Sequence, residues 1–158
     1  MGESEIEIEL TVNGAAVHAT VAAQELLLDF LRERLGLTAA KRSCDVQVCG
    51  TCTVLVDGAP VSACTHLAFE ADGRDVLTLE GFAETAEFAE FESAFVRHAA
   101  LQCGYCSSGL LLTIKSLRDR GELASEEDLR HGLDGNLCRC TGYRSILDAA
   151  RELAGLES

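Results

Sequence analysis

The residues of this chain best suited to chemistry are its eight cysteines, which fall into two groups of four. In the first group three cysteines follow the spacing C-x4-C-x2-C and the fourth comes twelve residues later; in the second a C-x2-C pair precedes a distant C-x-C pair. The groups are Cys44, Cys49, Cys52 and Cys64, and Cys103, Cys106, Cys138 and Cys140. Because thiolates are soft, anionic ligands that bind metals in fours, the pattern predicts two tetrathiolate metal sites.

The first spacing is the one with which plant-type ferredoxins hold a [2Fe–2S] cluster, taking three thiolates from one loop and the fourth from elsewhere. Two such clusters in a chain of 158 residues would form an electron relay. Gly50 and Gly104 each stand between two of the cysteines, where a glycine lets backbone N–H groups approach the bridging sulfides. We therefore expect both glycines to take part in binding the clusters.

Other uses of four cysteines fit the spacing less well. Structural zinc sites usually combine two C-x2-4-C units, whereas the second group ends with a single residue between its cysteines. Disulfides are disfavoured because the N-terminal sequence MGESEIEIEL is acidic and unlike a secretion signal, which instead predicts a reducing, cytoplasmic location. A zinc-binding interaction scaffold and a free-standing two-cluster ferredoxin remain as alternatives.

The composition argues against several classes of function. The net charge is −13, and no basic patch is present to attract nucleic acid. No apolar run approaches the roughly 18 residues that a membrane-spanning helix needs. The chain also lacks a G-x-G-x-x-G motif and any recognisable catalytic set, so we expect a component of an enzyme rather than an isolated catalyst.

The first half of the chain has the pattern of an α+β domain. Apolar and polar residues alternate over residues 5–12, and Asn13-Gly14 suits a tight hairpin turn to a return strand over residues 17–21. Leucines at positions 27, 28, 31 and 35 trace one face of a helix that Gly36 ends. Further strands are predicted at residues 53–56, 61–64 and 76–79. This order is compatible with the β-grasp fold of plant-type ferredoxins.

The second half of the chain is predicted to be helical. The apolar period changes to 3.6 from Gly81 onward, which predicts a boundary between domains 1–80 and 81–158. Four helices are expected: one with the stripe Phe88, Phe91, Phe95 and Ala99, one from Cys106 to Gly121, one starting at Ser125, and one beginning after Ser145. Short loops between them predict an all-α four-helix bundle that carries the second cysteine group.

Three motifs together resemble a known family. They are SCDVQVCGTCTV at residues 43–54, LQCGYC at residues 101–106 and NLCRCTGY at residues 136–143. In these motifs the chain resembles the separate iron–sulfur small subunit of the molybdenum hydroxylase (xanthine oxidase) family, as in bacterial carbon monoxide dehydrogenase and related aldehyde and N-heterocycle dehydrogenases. The resemblance covers residues 5–155. It implies a ferredoxin-like domain holding the cluster distal to molybdenum and a four-helix domain holding the proximal cluster.

The resemblance also implies partners and a direction of electron flow. A large subunit would bind molybdopterin and oxidise the substrate, and a medium subunit would bind FAD and pass electrons onward. This chain would connect the two within a heterotrimer or a dimer of heterotrimers. Gln102 is similar to the family's glutamine that hydrogen-bonds the pterin.

The chain departs from the family pattern at a few positions beside the cysteines. The family commonly has glycine at Ser43 and Gln47, alanine at Thr51, and Thr-Pro at residues 107–108. Because glycine and proline restrict a loop differently from other residues, we expect these departures to affect loop geometry and reduction potential. None of them removes a cysteine.

Overall fold

The computed structural model describes residues 5–156, whose strands form one five-stranded sheet. The strands are β1 (Glu5–Val12), β2 (Ala15–Ala22), β3 (Thr53–Val56), β4 (Ala59–Ser62) and β5 (Asp75–Leu77), in the spatial order β2-β1-β5-β3-β4. β5 runs parallel to β1 and antiparallel to β3, and the two hairpins are antiparallel. The mixed sheet and its helices confirm the α+β class.

Tight turns at residues 13–14 and 57–58 fix the register of the two hairpins. Asn13 and Gly14 have φ angles of 52° and 80°, as the predicted tight turn requires. The second turn pairs Val56 with Ala59, so β4 ends at Ser62 and Cys64 lies beyond it. The strand predicted at residues 61–64 is therefore displaced toward the turn.

The helix predicted after the first hairpin is present, but most of it is π-helical. It starts as α1 (Leu27–Asp29) and continues as a π-helical segment, Phe30–Arg34. Gly36 follows with a φ of 70°, in agreement with its predicted role as the end of the helix. A short 3-10 helix, Ala68–Ala71, precedes β5.

The strand predicted at residues 76–79 ends early, because a side chain from the first turn intervenes. The amide side chain of Asn13 accepts the N–H of Thr78 at 2.8 Å and donates to its hydroxyl at 3.0 Å. Phe82 N–H then bonds the carbonyl of Thr78, which begins helix α2 (Leu79–Ala83). Leu79, predicted to be in the strand, is thus the first residue of a helix.

Four longer helices follow α2 in the described part of the chain. They are α3 (Phe88–Arg97), α4 (Ser107–Asp119), α5 (Glu126–Leu133) and α6 (Arg144–Leu153). The Ser125 hydroxyl caps α5 by accepting the N–H of Asp128, as predicted. Ala99 does not extend the apolar face of α3: it is exposed beyond the helix end with a φ of 52°, and Ala100 is buried instead. No helix within residues 5–156 has the length and apolar character needed to cross a membrane.

Two apolar cores meet at strand β3. Val54 points into the core between the sheet and α1, whereas Leu55 points into the core formed by the helices. Adjacent residues of a strand face opposite sides, so the helices cover the second face of the sheet here. Ser116 of α4 fixes this contact by donating to the Gly58 carbonyl at 2.6 Å. The two cysteine groups lie at the same junction.

Candidate metal centres

The first cysteine loop, residues 44–52, wraps backbone N–H groups around the thiol of Cys44. The N–H groups of Val48 and Cys49 both donate to its Sγ at 3.4 Å. Hydrogen bonds from the N–H groups of Val46, Val48 and Cys49 lower the pKa of the Cys44 thiol to about 6. At neutral pH this side chain is therefore a thiolate, the form that binds metal.

Two residues of this loop adopt the left-handed conformation that turns the N–H groups inward. The φ angles of Asp45 and Gln47 are 55° and 58°. For residues with a Cβ this conformation costs about 1–2 kcal/mol each. Gln47 stands where the family commonly has glycine, and its side-chain oxygen accepts the Thr65 hydroxyl at 3.3 Å. The loop therefore keeps a conformation that favours glycine and carries strain at this position.

The four thiols of the first site (Cys44, Cys49, Cys52 and Cys64) come together in two pairs. Cys44 contacts Cys49, and Cys52 contacts Cys64, in each case thiol to thiol. Three of the four residues are buried, and only Cys44 is partly exposed. Burial raises the pKa of Cys52 to about 12. A buried thiol of this kind loses its proton when the sulfur binds a metal ion.

The four thiols of the second site (Cys103, Cys106, Cys138 and Cys140) are also paired. Cys140 Sγ lies 3.5 Å from Cys103 Sγ, and the thiols of Cys106 and Cys138 are hydrogen-bonded. Cys106 is the residue that precedes the first turn of α4, and the C-x-C pair lies in the loop between α5 and α6. The fold therefore brings together the cysteines that the sequence grouped.

The loop that carries the C-x-C pair is held in place by its own side chains. The Tyr143 hydroxyl accepts the Cys138 N–H at 3.0 Å and donates to the Asn136 carbonyl at 3.1 Å. The Thr141 hydroxyl donates to Cys138 Sγ at 3.1 Å. The sequence pattern alone predicted no role for the side chains of Thr141 and Tyr143, although both lie in the third motif.

The pKa values of the second site alternate between raised and lowered. The N–H of Tyr105 lowers the pKa of Cys103, whereas burial raises that of Cys106 to about 12. Burial also works against the thiolate of Cys138, but hydrogen bonds led by those from Thr141 outweigh it and lower the pKa. The pKa of Cys140 is raised by its hydrogen bond to Cys103. Each thiol pair thus contains one cysteine that ionises readily.

The arrangement of the thiols suits a two-iron cluster. The cysteines of each site meet two by two, and a [2Fe–2S] cluster takes two protein ligands on each of its irons. A cavity of about 360 Å³ opens beside the second site, lined by all four of its cysteines. The residues present therefore fit the cluster that the spacing predicted.

The two sites are in direct contact through their loops. Cys49 of the first site also lines the cavity of the second. The N–H of Leu137 donates to the Cys49 carbonyl at 2.9 Å, and the Asn136 side chain donates to the Gly50 carbonyl at 3.3 Å. The Tyr105 hydroxyl, between the C-x2-C cysteines, donates to the Arg42 carbonyl at 2.6 Å. A short covalent and hydrogen-bonded route therefore joins the two groups of thiols.

The structure gives different reasons for the two glycines expected to bind clusters. Gly50 has a φ of 69°, and a Cβ there would lie 2.4 Å from both the Asn136 side chain and the Gly135 carbonyl. Gly104 has a φ of 78°, but a Cβ there would meet nothing within 4 Å. Gly50 is thus required by the contact between the two sites, and Gly104 by backbone conformation alone.

Gln102 directly precedes Cys103 of the second site in the chain, and it is exposed. Three large apolar side chains are exposed as well: Tyr105 and Leu137, which line the cavity of the second site, and Leu101, two residues before Cys103. A second exposed apolar pair, Val46 and Val48, lies on the first cysteine loop, where the exposed fractions reach 65% and 56%. Both sites are therefore bordered by apolar surface.

Two family models match the chain in succession. A 2Fe-2S iron-sulfur cluster binding domain matches residues 10–78, and a [2Fe-2S] binding domain matches residues 78–151. The nicotinate dehydrogenase small FeS subunit of Eubacterium barkeri is 42% identical over 148 residues, which cover 94% of each chain. The comparisons thus favour an iron–sulfur subunit over a zinc scaffold or a free-standing ferredoxin.

Solved structures agree with this result. The crystal structure of quinoline 2-oxidoreductase from Pseudomonas putida 86 contains a chain with a TM-score of 0.88 and 41% identity, covering 95% of this chain and 93% of that one. Aldehyde oxidoreductase from Desulfovibrio gigas matches with a TM-score of 0.86 and 38% identity, over 95% of this chain but only 17% of that longer one. The chain therefore belongs to the small [2Fe–2S] subunits of the molybdenum hydroxylase (xanthine oxidase) family, the electron-transfer components of these dehydrogenases.

Proposed function

We propose that this chain carries electrons from a molybdopterin centre in a large subunit to FAD in a medium subunit. The observation that supports the proposal most strongly is the contact between the two cysteine sites, in which Cys49 borders both. The electron would enter at the second site and leave from the first. When bound, each [2Fe–2S] cluster supplies one-electron redox chemistry without a change of ligands.

The eight cysteines are the proposed ligands of the two clusters, four at the first site and four at the second. Cys44 and Cys103 already have lowered pKa values, because backbone N–H groups stabilise their thiolates. Gly50 and Gly104 keep the two loops tight enough for backbone N–H groups to face the cluster sulfides. All eight thiols are free, which fits assembly in a reducing compartment, and we therefore propose the cytoplasm.

The exposed apolar residues are the proposed docking surfaces. The rim of the second site (Leu101, Tyr105 and Leu137) would face the large subunit, and the tip of the first loop (Val46 and Val48) would face the medium subunit. Apolar side chains that ring a functional mouth commonly mark an interface with another protein. The assembly would be a heterotrimer or a dimer of heterotrimers.

Gln102 is proposed as the residue that contacts the pterin. It stands directly before Cys103 and is exposed, so it is available to a partner. A neutral amide both donates and accepts hydrogen bonds, which suits the polar edge of a pterin. In this proposal Gln102 positions the pterin beside Cys103.

The domain organisation completes the proposal. Residues 1–80 would form a β-grasp ferredoxin domain and residues 81–158 a four-helix bundle made from α3 to α6. The separate apolar cores on either side of β3 support two domains. Helix α2 spans the proposed boundary, and its Phe82 packs in the helical core.

Isolation of the native complex through an affinity tag on this chain tests the proposal. We expect a molybdopterin-containing subunit and an FAD-containing subunit to copurify with the chain. Leu137→Glu should reduce recovery of the molybdopterin subunit, because it places a charge in the rim of the second site. Val96→Glu is the matched control, since Val96 is 65% exposed on α3 and borders neither site. Isolation of the chain alone, with both clusters intact, would instead support a free-standing ferredoxin.

A further inference from the structure

Lys41 is anchored to the first cysteine loop by its backbone. Its N–H donates to the Thr51 carbonyl at 2.9 Å, and the Thr51 hydroxyl donates back to the Lys41 carbonyl at 3.0 Å. Thr51 lies between Cys49 and Cys52, so Lys41 is fixed relative to the first site. The position of its side chain follows from this anchor.

The side chain of Lys41 nevertheless extends toward the second site. Its Nζ lies 5.7 Å from the centroid of the Tyr105 ring, within contact range of a cation and an aromatic face. Tyr105 lies between Cys103 and Cys106, and negative charge on the Cys106 sulfur would attract the Lys41 ammonium. The cation is thus carried by one loop and directed at the ligands of the other.

The charge of Lys41 is not neutralised by a direct ion pair. Within residues 5–156 no carboxylate lies within 4 Å of its Nζ, which donates to the Ala39 carbonyl at 2.8 Å. Glu80 attracts the ammonium from further away, and its two oxygens accept the Ala39 N–H and the Thr78 hydroxyl. Burial is the main cause of the lowered pKa of Lys41, which shows that its charge is held partly away from water.

Two arginines stand close to cysteines in the sequence, and the charge of one is paired while that of the other is screened. Arg42 forms ion pairs with Asp29 and Asp45. Arg139 stands between two cysteines of the second site, but it is exposed, and water and salt screen its charge. A partly buried charge acts over a given distance more strongly than an exposed one.

We infer that Lys41 raises the reduction potential of the second site and so favours entry of the electron there. One electron arriving at this site adds one negative charge, with no bond made or broken and no proton taken up. A fixed positive charge beside the ligands stabilises that reduced state. The inference rests on the proposed function, because it requires a [2Fe–2S] cluster at the second site.

A redox titration of the assembled complex, followed by electron paramagnetic resonance (EPR), tests the role of Lys41. A neighbouring opposite charge typically shifts an ionisation equilibrium at least tenfold, and we expect a similar effect on electron binding. In Lys41→Met the equilibrium share of electrons on the second site, relative to the first, should fall about tenfold. This corresponds to a reduction potential of the second site that is lower by about 59 mV, for a one-electron couple. Lys41→Arg keeps the charge and should keep the potential of the second site.

Lys115→Met is the matched control, because Lys115 also covers an aromatic ring, at 5.1 Å from the centroid of Phe82. It lies on α4 about 13 Å further along the helix than Cys106, and Glu87 and Asp119 neutralise it. This variant should leave both potentials unchanged. If Lys41→Met fails to assemble, Lys41→Gln is measured in its place, since glutamine can still donate to Ala39.

Either of two results would overturn the inference. One is an unchanged potential at the second site in the uncharged variant; the other is an equal fall in Lys41→Arg. Wild-type protein that lacks a second EPR signal altogether would contradict the proposed function instead. The two failures are therefore distinguishable in the same experiment.

Discussion

Gly50→Ala should damage the contact between the two cysteine sites, although it adds a single methyl group. The new Cβ would lie 2.4 Å from the Gly135 carbonyl and 2.4 Å from the Asn136 side chain. The carbonyl belongs to the backbone and cannot rotate away, so the loop that carries the C-x-C pair must move. This movement would lengthen the hydrogen bond from the Leu137 N–H to the Cys49 carbonyl, which measures 2.9 Å.

The free energy of folding that Gly50→Ala loses has two parts. The left-handed φ of 69° at Gly50 costs alanine about 1–2 kcal/mol, and overpacking adds about 1–3 kcal/mol. Gly104→Ala isolates the first part, because Gly104 has a φ of 78° but open space around the new Cβ. We therefore expect Gly50→Ala to be the more destabilising of the two by about 1–3 kcal/mol.

Thermal unfolding of the cluster-loaded complexes measures this difference. Gly50→Ala should lower the apparent Tm of the complex further than Gly104→Ala does. Gly50→Ala should also weaken the magnetic coupling between the two EPR signals, whereas Gly104→Ala should leave that coupling in place. Equal losses of Tm and unchanged coupling in both variants would refute the argument that Gly50 holds the sites together.

Three further predictions address single residues. Cys44→Ser should abolish the EPR signal of the first site and preserve that of the second, because Cys44, unlike Cys49, does not line the second cavity. Loss of both signals in a folded complex would contradict this prediction. Gln102→Ala should slow reduction of the second site by substrate about tenfold, because a lost buried hydrogen bond costs about 1–3 kcal/mol, while reduction by dithionite stays unchanged; unchanged substrate-driven reduction in a complex that retains molybdopterin would exclude the pterin contact. In the cluster-free chain at pH 7, an alkylating reagent should modify Cys44 much faster than Cys52, because their pKa values are about 6 and about 12. Mass spectrometry measures the two rates, and equal rates would be inconsistent with these pKa values.

Much of the fold could be predicted from the sequence because its signals are local. The alternation over residues 5–12 and the Asn13-Gly14 turn specify a hairpin with no reference to the rest of the chain. Ser125 likewise predicts the start of α5, because its own side chain can cap the helix. The cysteine spacing reports which thiols belong together, because ligands of one cluster must lie in one or two short loops.

The features that escaped prediction depend on contacts between distant residues. Leu79 starts a helix because Asn13, more than sixty residues earlier, takes the N–H of Thr78. The meeting of the two sites depends on Gly50 and Asn136, which are 86 residues apart. A periodic pattern within one short stretch of sequence does not predict a contact between residues so far apart.

Iron and acid-labile sulfide analysis of the purified complex, combined with EPR after reduction, tests the central claim most directly. Two [2Fe–2S] clusters predict about four iron and four sulfide per copy of this chain, together with two separate one-electron signals. Zinc content should be negligible. About two iron per chain, a single EPR signal, or zinc in stoichiometric amount would contradict the claim that the two cysteine sites form an electron relay.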